Sequence, residues 1–546
     1  MIRRIFNSQT KTITFAAILL GASTLISRVL GLIRDRLFAG RFGAGEELDI
    51  YFAAFRIPDF VYGILIMGGI TAVFLPVFSE YFKKNEQEAW QFTNNTLNCF
   101  LILLIGICAL LAIFAPFLIN FIAPGFGPEQ KSLAVVLTRI MFLSPILFGL
   151  SSVFSGILHY FNRFLIYSLA PILYNLGIIF GILYFYPIFD LPGLAYGVIL
   201  GAFAHLIIQV PAAWFSGYKY RFTFNFKYPG LMKMFRLMIP RTIGAGAYHI
   251  NLIVITAIAS TLAAGSIAVF NFSNNLQYFP IGIIGASFAI ASFPVLSRAW
   301  AGGLKEEFLS SFSSTFRQIL FLITPVSLLV FLLRAQIVRI ILGTGQFGWL
   351  ETRLTAACLG LFCLGIFAFT FIPFLARAFY SLQDTKTPVI IGLVAMAINI
   401  SLSLFFVWLL KYSNFFQGFM IAGLNLQGIQ DIAVIGLPLA LSISGIFQFF
   451  LLLIFLKKKI GDIRLREIWD SFKKILIASV LMVVAMYFAL QFIASFVDMQ
   501  RFSGVFSQAI SAVVTGILVY FLITLFLKSP EIKVIKDSIF KQFQKT

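Results

Sequence analysis

Six ionisable side chains crowd two otherwise apolar stretches near the start of the chain. Arg28, Arg34 and Asp35 stand in or just past the stretch from about 12 to 33, and Asp49, Arg56 and Asp59 stand in the stretch 49–79. A charge near the centre of a bilayer costs about 2.5–3.5 kcal/mol on insertion scales, so charges kept there need partners or a task. Arginine suits one task well, because its planar guanidinium grips two phosphate or carboxylate oxygens at once through charge-assisted hydrogen bonds. Spacing sorts these residues by face. Arg28 and Arg34, six apart, point roughly 120° from one another on a helix, whereas Arg28 and Asp35, seven apart, share a face. Two readings follow: an internal network in which Asp35, Asp49 and Asp59 balance the three arginines, or the polar wall of a cavity.

Other chemistry is sparse. Cys99, Cys108, Cys358 and Cys363 lie in long apolar runs without metal spacing and read as small core residues. His159, His205 and His249 are too scattered for a metal or proton site. Gly343-Thr344-Gly345-Gln346-Phe347-Gly348 spells GxGxxG, but it falls between two membrane helices with no strand before it, which removes the dinucleotide reading. No P-loop, HExxH, GxSxG or repeated carboxylate pair is present, so the chain reads as no enzyme and calls for no cofactor or resident metal. Asn251, Asn399 and Asp384 could offer oxygens to a coupling sodium ion, and the membrane potential is the other candidate drive; polar groups at helix interfaces account for these residues equally well.

The elements that must hold these groups are membrane helices. Of 546 residues, 60% are hydrophobic and only 11% charged, with mean hydropathy +0.96, against about 25% charged in an ordinary globular chain. A span needs about 20 apolar residues, and fourteen such stretches follow one another, from about 12–33 to about 504–527. An even number puts both termini on one side. That side carries 27 of the 41 Lys and Arg, the other side nine, so both termini are expected in the cytoplasm. The net charge of +20 is thereby a matter of topology and anionic-lipid contact, notably in the Lys457–Lys474 run, and nucleic acid is not an expected partner.

The chain also repeats. Leu75-Pro76-Val77-Phe78-Ser79 matches Phe293-Pro294-Val295-Leu296-Ser297, Tyr160 matches Tyr380, and Asn175 matches Asn399, each pair six spans apart. Gly and Pro recur at corresponding places: Pro58, Gly63, Gly68, Gly69 and Pro76 in span 2, and Pro280, Gly282, Gly285 and Pro294 in span 8. These mark either broken helices around a hydrated cavity or close helix packing, as Ser27-x-x-x-Gly31 does in span 1. The expected fold is an all-α polytopic membrane protein of 14 transmembrane helices. It comprises an N-terminal six-helix lobe (1–220), a C-terminal six-helix lobe (221–460) in parallel repeat, and two additional helices with a cytoplasmic tail (461–546). Parallel repeats are typical of transporters that bind substrate between halves and rock one against the other.

Ser27-Arg28-Val29-Leu30-Gly31, Arg34-Asp35, Phe42-Gly43-Ala44-Gly45, Asp49 and Arg56-Ile57-Pro58-Asp59 closely resemble the MurJ (MviN) family of lipid II flippases. So do Ala123-Pro124-Gly125-Phe126, Phe279-Pro280-x-Gly282, the Gly343–Phe347 loop, Ala376-Arg377-Ala378-Phe379-Tyr380 and Asp384-Thr385-Lys386-Thr387-Pro388. The family belongs to the multidrug/oligosaccharidyl-lipid/polysaccharide exporter superfamily, of two six-helix lobes. The resemblance implies a multi-pass protein of the bacterial inner membrane that carries undecaprenyl-pyrophosphate-linked peptidoglycan precursor to the periplasmic leaflet by alternating access, in cell-wall biogenesis and cell shape. The cell-wall synthesis machinery would be its neighbour.

Carried over by position, Arg28, Arg34 and Arg56 look like the family's substrate-binding arginines, and Asp49 like its acidic residue at the start of span 2. The chain departs where the family commonly has an Arg pair one turn after Pro58, here Tyr62 and Gly63. It departs again in span 8, where Asn275 and Tyr278 replace an Arg and an acid. Arg241, after Pro240 at the start of span 7, either supplies the missing span 8 charge or snorkels to cytoplasmic phosphates. The alternatives are a flippase for another polyprenyl-pyrophosphate oligosaccharide of O-antigen or capsule type, and a cation-coupled drug antiporter, which the excess of arginine opposes. An integral-membrane glycosyltransferase would need catalytic acids in a large extramembrane loop, which loops of about 20 residues do not provide.

Overall fold

The computed structural model describes residues 13–532, and both termini, assigned above to the cytoplasmic side, lie outside them. Among the described residues the regular structure is helical, with no strand. The chain divides into two compact units, Met1–Ala268 and Val269–Thr546.

The first unit holds α1 (Ile13–Phe42), α2 (Glu46–Val61), a π-helical turn over Tyr62–Ile70, α3 (Thr71–Lys84), α4 (Glu86–Ile113) and α5 (Ala115–Ile122). It continues through α6 (Pro128–Met141), α7 (Leu143–Tyr160), α8 (Phe164–Phe180), a second π turn (Gly181–Phe185), α9 (Tyr186–Phe189), α10 (Leu191–Ile207), α11 (Gln209–Trp214) and α12 (Pro229–Ala259). Then α13 (Ser266–Pro280) passes the boundary. The second unit adds a third π turn (Ile281–Gly285), α14 (Ala286–Ala301), α15 (Lys305–Leu332), α16 (Arg334–Ile341), α17 (Trp349–Ser381), α18 (Lys386–Lys411) and α19 (Phe415–Leu424). A 3₁₀ turn (Ala433–Ile435), α20 (Gly436–Ile460), α21 (Leu465–Ala494) and α22 (Phe502–Phe526) complete it.

Local chemistry sets the helix ends. Asn85 caps α4 by accepting from Gln87 N at 2.8 Å, with Glu86 and Glu88 in the first turn, where carboxylates oppose the positive end of the helix dipole. Proline, which lacks an N–H and clashes with the preceding turn, divides long spans. Pro116 sits in the first turn of α5 and Pro145 in that of α7, so the expected spans 93–122 and 133–158 each comprise two helices with a bend.

Eleven helical segments among the described residues are long and apolar enough to cross a membrane. Besides these eleven there are α1 (30 residues), which carries Arg28 and Arg34, the α2–π–α3 run, which carries Arg56 and Asp59, and α12 (31 residues).

Lipid tails are as apolar as leucine, so packing and dispersion, not exclusion from water, hold such helices together. Phenylalanine builds both cores: the largest fully buried side chains are all Phe. In the first unit Phe74 stacks on Phe78 and Phe92 at 5.5 and 5.6 Å. In the second, Phe316 stacks on Phe371 at 4.2 Å and Phe312 on Phe374 at 5.1 Å. Each such pair adds about 0.5–1.5 kcal/mol beyond its buried area. The α8–α10 crossing is closer still: a Cβ on Gly177 would lie 2.3 Å from Gly201 Cα, and one on Gly181 2.6 Å from Gly197 Cα. All four cysteines are buried and free, as their apolar setting implied. The GxGxxG motif is a turn between α16 and α17.

Candidate functional site

Of the charged groups on α1, the best defined is Arg34. Its Nε and Nη2 both donate to Asp35 Oδ1, at 3.1 and 2.9 Å, and its Nη1 donates to Asn175 Oδ1 at 3.4 Å. Asp35 is buried, while the Arg34 side chain keeps 23% of its surface exposed. Three of the five guanidinium N–H groups are engaged in these bonds, leaving one on each terminal nitrogen for an anion. Asn175, on α8, also donates to Ser27 Oγ at 3.2 Å and Ser27 O at 3.3 Å. It clamps α1 to α8 while orienting Arg34. A Cβ on Gly31 would meet Asn175 Oδ1 at an ordinary 3.9 Å, so this glycine belongs to the same helix contact. Arg28, two turns earlier on α1, is half-buried.

On α2, Arg56 Nε donates to Thr256 Oγ1 of α12 at 2.7 Å, and the threonine hydroxyl in turn donates to Leu252 O at 2.8 Å. One turn on, Asp59 Oδ2 stands 3.6 Å from His249 Nδ1, also of α12. The imidazole lies over Gly63: a Cβ there would fall 1.8 Å from His249 Nε2. Thus, where the family resemblance leads one to expect arginine after Pro58, the missing side chain makes room for a histidine from another helix. The sequence offered no signal for that pairing beyond the glycine itself.

Asp49 has a different environment. It is 4% exposed, and its two carboxylate oxygens accept from the backbone N–H groups of Gly265 (2.7 Å) and Ala268 (2.8 Å) at the start of α13. It therefore serves as the cap of a helix distant in sequence. Gly265 has φ +88, and a Cβ on it would strike Ala44 O at 1.8 Å, which fixes the close approach of this turn to α2.

The other predicted residues lie elsewhere. Asn275 is half-buried on α13, in the second unit. Arg241 belongs to α12, but its side chain falls outside those described. Asp384, offered as a cation ligand, has Oδ2 held by Lys459 Nζ and by Thr387 Oγ1, both at 2.7 Å, and Oδ1 by Thr387 N at 3.0 Å. Among the described residues no cluster of His, Cys, Asp and Glu could hold a metal ion. The structure thus gathers Arg34, Asp35 and Asn175 in one group and Arg56, Asp59, Thr256 and His249 in another, within the first unit.

This fold, a polytopic helical bundle with charged groups inside its long helices, is a transporter fold. It is shared with an inward-facing multidrug resistance MATE family transporter of the MOP superfamily (TM-score 0.65, 16% identity, 82% of this chain and 99% of that one). The likeness is greater to a lipid II flippase MurJ in its inward closed conformation (TM-score 0.75, 24% identity, 94% of this chain and 99% of that one). The sequence model of the family described as lipid II flippase MurJ matches residues 38–507. The probable lipid II flippase MurJ of Buchnera aphidicola subsp. Acyrthosiphon pisum (strain APS) is 32% identical over 396 residues, 72% of this chain and 78% of that protein. This chain belongs to the lipid II flippase MurJ family.

Proposed function

We propose that the chain is a flippase that moves lipid II, the undecaprenyl-pyrophosphate-linked peptidoglycan precursor, from the cytoplasmic to the periplasmic leaflet by alternating access. The observation that carries this is the family match across residues 38–507. The partly exposed side chain of Arg34 supports it, since a lipid pyrophosphate presents the paired oxygens that arginine binds best. Arg28, Arg34 and Arg56 are the proposed anion contacts, with Arg241 and Asn275 completing the set. Asp49, whose carboxylate also holds the start of α13, belongs to the same proposed set.

In this reading α1, α2–α3 and α12 also cross the membrane, which gives fourteen spans. These form an N-terminal six-helix lobe (1–220), a C-terminal one (221–460) and two further helices with a tail (461–546). Both termini are cytoplasmic. Anionic lipids and the cell-wall synthesis machinery are its proposed neighbours, and sodium or the membrane potential its proposed drive. Depleting the protein from its host and identifying the polyprenyl-linked intermediate held in the cytoplasmic leaflet tests the substrate. Lipid II is expected to accumulate and to clear on re-expression. Accumulation of an O-antigen or capsule intermediate instead would assign the chain to that cargo.

A further inference from the structure

Between α11 and α12 the chain runs without helix through residues 218–225, yet it is held firmly. Three buried asparagines of α4 do this. Asn94 Nδ2 donates to Lys219 O at 3.1 Å and Asn98 Nδ2 to Thr223 O at 2.9 Å. Asn95 both donates to Asn225 O (2.9 Å) and accepts from Asn225 N (2.7 Å). The hydroxyls of Tyr218 and Tyr220 donate to Asn94 Oδ1 and Asn98 Oδ1 at 2.7 and 2.9 Å. Buried amides cost free energy unless paired, and here three are spent on fixing one connecting segment.

These bonds set the segment's path. A helix rises about 1.5 Å per residue, so Asn98 lies about 6 Å further along α4 than Asn94. The segment meets α4 at the level of Asn94, reaches the level of Asn98 at Thr223 and is back at the level of Asn95 by Asn225. It is a shallow dip, with Phe222 and Phe224 on either side of its lowest point. That point coincides with a change in α4 itself: up to Asn98 the helix is rich in polar residues, and from Cys99 to Ile113 it is wholly apolar. The dip therefore reaches the plane where the polar end of a membrane helix meets its hydrocarbon-spanning part.

The composition suits that plane. Every even position from Tyr218 to Tyr228 is aromatic, while Lys219, Arg221 and Lys227 stand between. Phe222 is 75% exposed and Phe224 45%. Among the described residues no carboxylate forms an ion pair with the three cations. Aromatic rings at head-group depth and cations beside them are what an anionic membrane surface binds.

We propose that the 218–228 dip is a membrane-surface anchor: Phe222 and Phe224 enter the boundary between head groups and acyl chains, and Lys219, Arg221 and Lys227 hold the phosphates of anionic phospholipids. The anchor depends on the chain being a multi-pass membrane protein and not on what it transports.

The test uses the full chain in vesicles of phosphatidylethanolamine and phosphatidylglycerol, with spin labels placed through Phe222→Cys or Lys219→Cys; the native cysteines are buried. The label at 222 should be relaxed by oxygen and shielded from a water-soluble nickel chelate, and the label at 219 should show the reverse. Separately, the combined Lys219→Gln, Arg221→Gln and Lys227→Gln variant should lose phosphatidylglycerol retention in native mass spectrometry, by about fivefold per cation removed. A label at 222 as open to nickel as that at 219 would mean a water-facing surface fit for a protein partner, and would overturn the anchor. So would unchanged phosphatidylglycerol retention in the triple variant.

Discussion

Arg34 is half of a pair before it is a substrate contact, and this changes what its removal does. Removing it takes from the buried Asp35 the cation that Arg34 supplies, and breaking a buried pair by deleting one partner costs about 3–5 kcal/mol. Arg34→Ala is therefore expected to lower both transport and the unfolding midpoint in detergent. Arg34→Ala combined with Asp35→Asn should recover the midpoint and leave transport lost. Recovery of transport in the double variant would show that the arginine does no more than balance the aspartate. A second test concerns Gly63, whose missing side chain admits the His249 ring. Gly63→Ala should displace that ring from Asp59 at a cost of about 1–3 kcal/mol, with reduced transport; wild-type transport would leave the Asp59–His249 contact without a role. Ionisable residues in apolar runs made Arg34, Asp35, Arg56 and Asp59 legible in the sequence. Asn175 and His249 were not, because helix packing brings them from 141 and nearly 200 residues away.

Helices were the most legible level, since some 20 apolar residues in a row admit little else. The π turns over Tyr62–Ile70 and Ile281–Gly285 were visible only as clusters of Gly and Pro that suggested breaks. In the structure the helix widens there and continues. Gly285 has a packing reason, since a Cβ would come within 2.8 Å of Thr370 O. The Gly193-x-x-x-Gly197-x-x-x-Gly201 seam of α10 has the small-residue spacing of a close crossing, as Ser27-x-x-x-Gly31 does, and it is the seam at which α10 meets α8. Helix α19, with no buried residue of its own, left no periodic signal to find. Between elements, Asp384 fastens the α17–α18 turn to the end of α20 through Lys459. Burial pushes its carboxyl up, but the hydrogen bonds from Lys459 and Thr387 outweigh this and bring it down to about 2. A depressed acid stabilises the fold above its ordinary value near 3.8 and loses that contribution as the pH falls through about 2. The stability gap between wild type and Asp384→Asn should thus be full at pH 6 and close between about pH 4 and pH 2. A gap that stays constant over that range would exclude the linkage.

At the scale of the whole molecule, the last two helices are joined to the second unit by a buried acid. Glu531, 2% exposed, accepts from Ser471 Oγ of α21 at 2.8 Å and from Ser529, and pairs with Arg317 of α15 at 3.4 Å; Tyr520 OH of α22 donates to Phe321 O at 2.7 Å. Glu531→Ala should leave Arg317 with the longer, 3.7 Å ion pair to Glu467 and its 3.4 Å bond to Ser313 O, and cost about 3–5 kcal/mol. Proteolysis should then release the C-terminal helices before the rest of the unit melts; unchanged release would place their attachment elsewhere. The partition into units also bears on descent. The repeat pairs α12 with α1, yet α12 packs within the first unit, against the π turn over Tyr62–Ile70. That turn and the one over Ile281–Gly285 fall at matching places in the repeat. A π turn is one residue too many for an α-helix, the trace of a single-codon insertion. Two such traces, each shortly before one of the matching Leu75–Ser79 and Phe293–Ser297 segments, are most simply copies of a single event, older than any duplication of that segment.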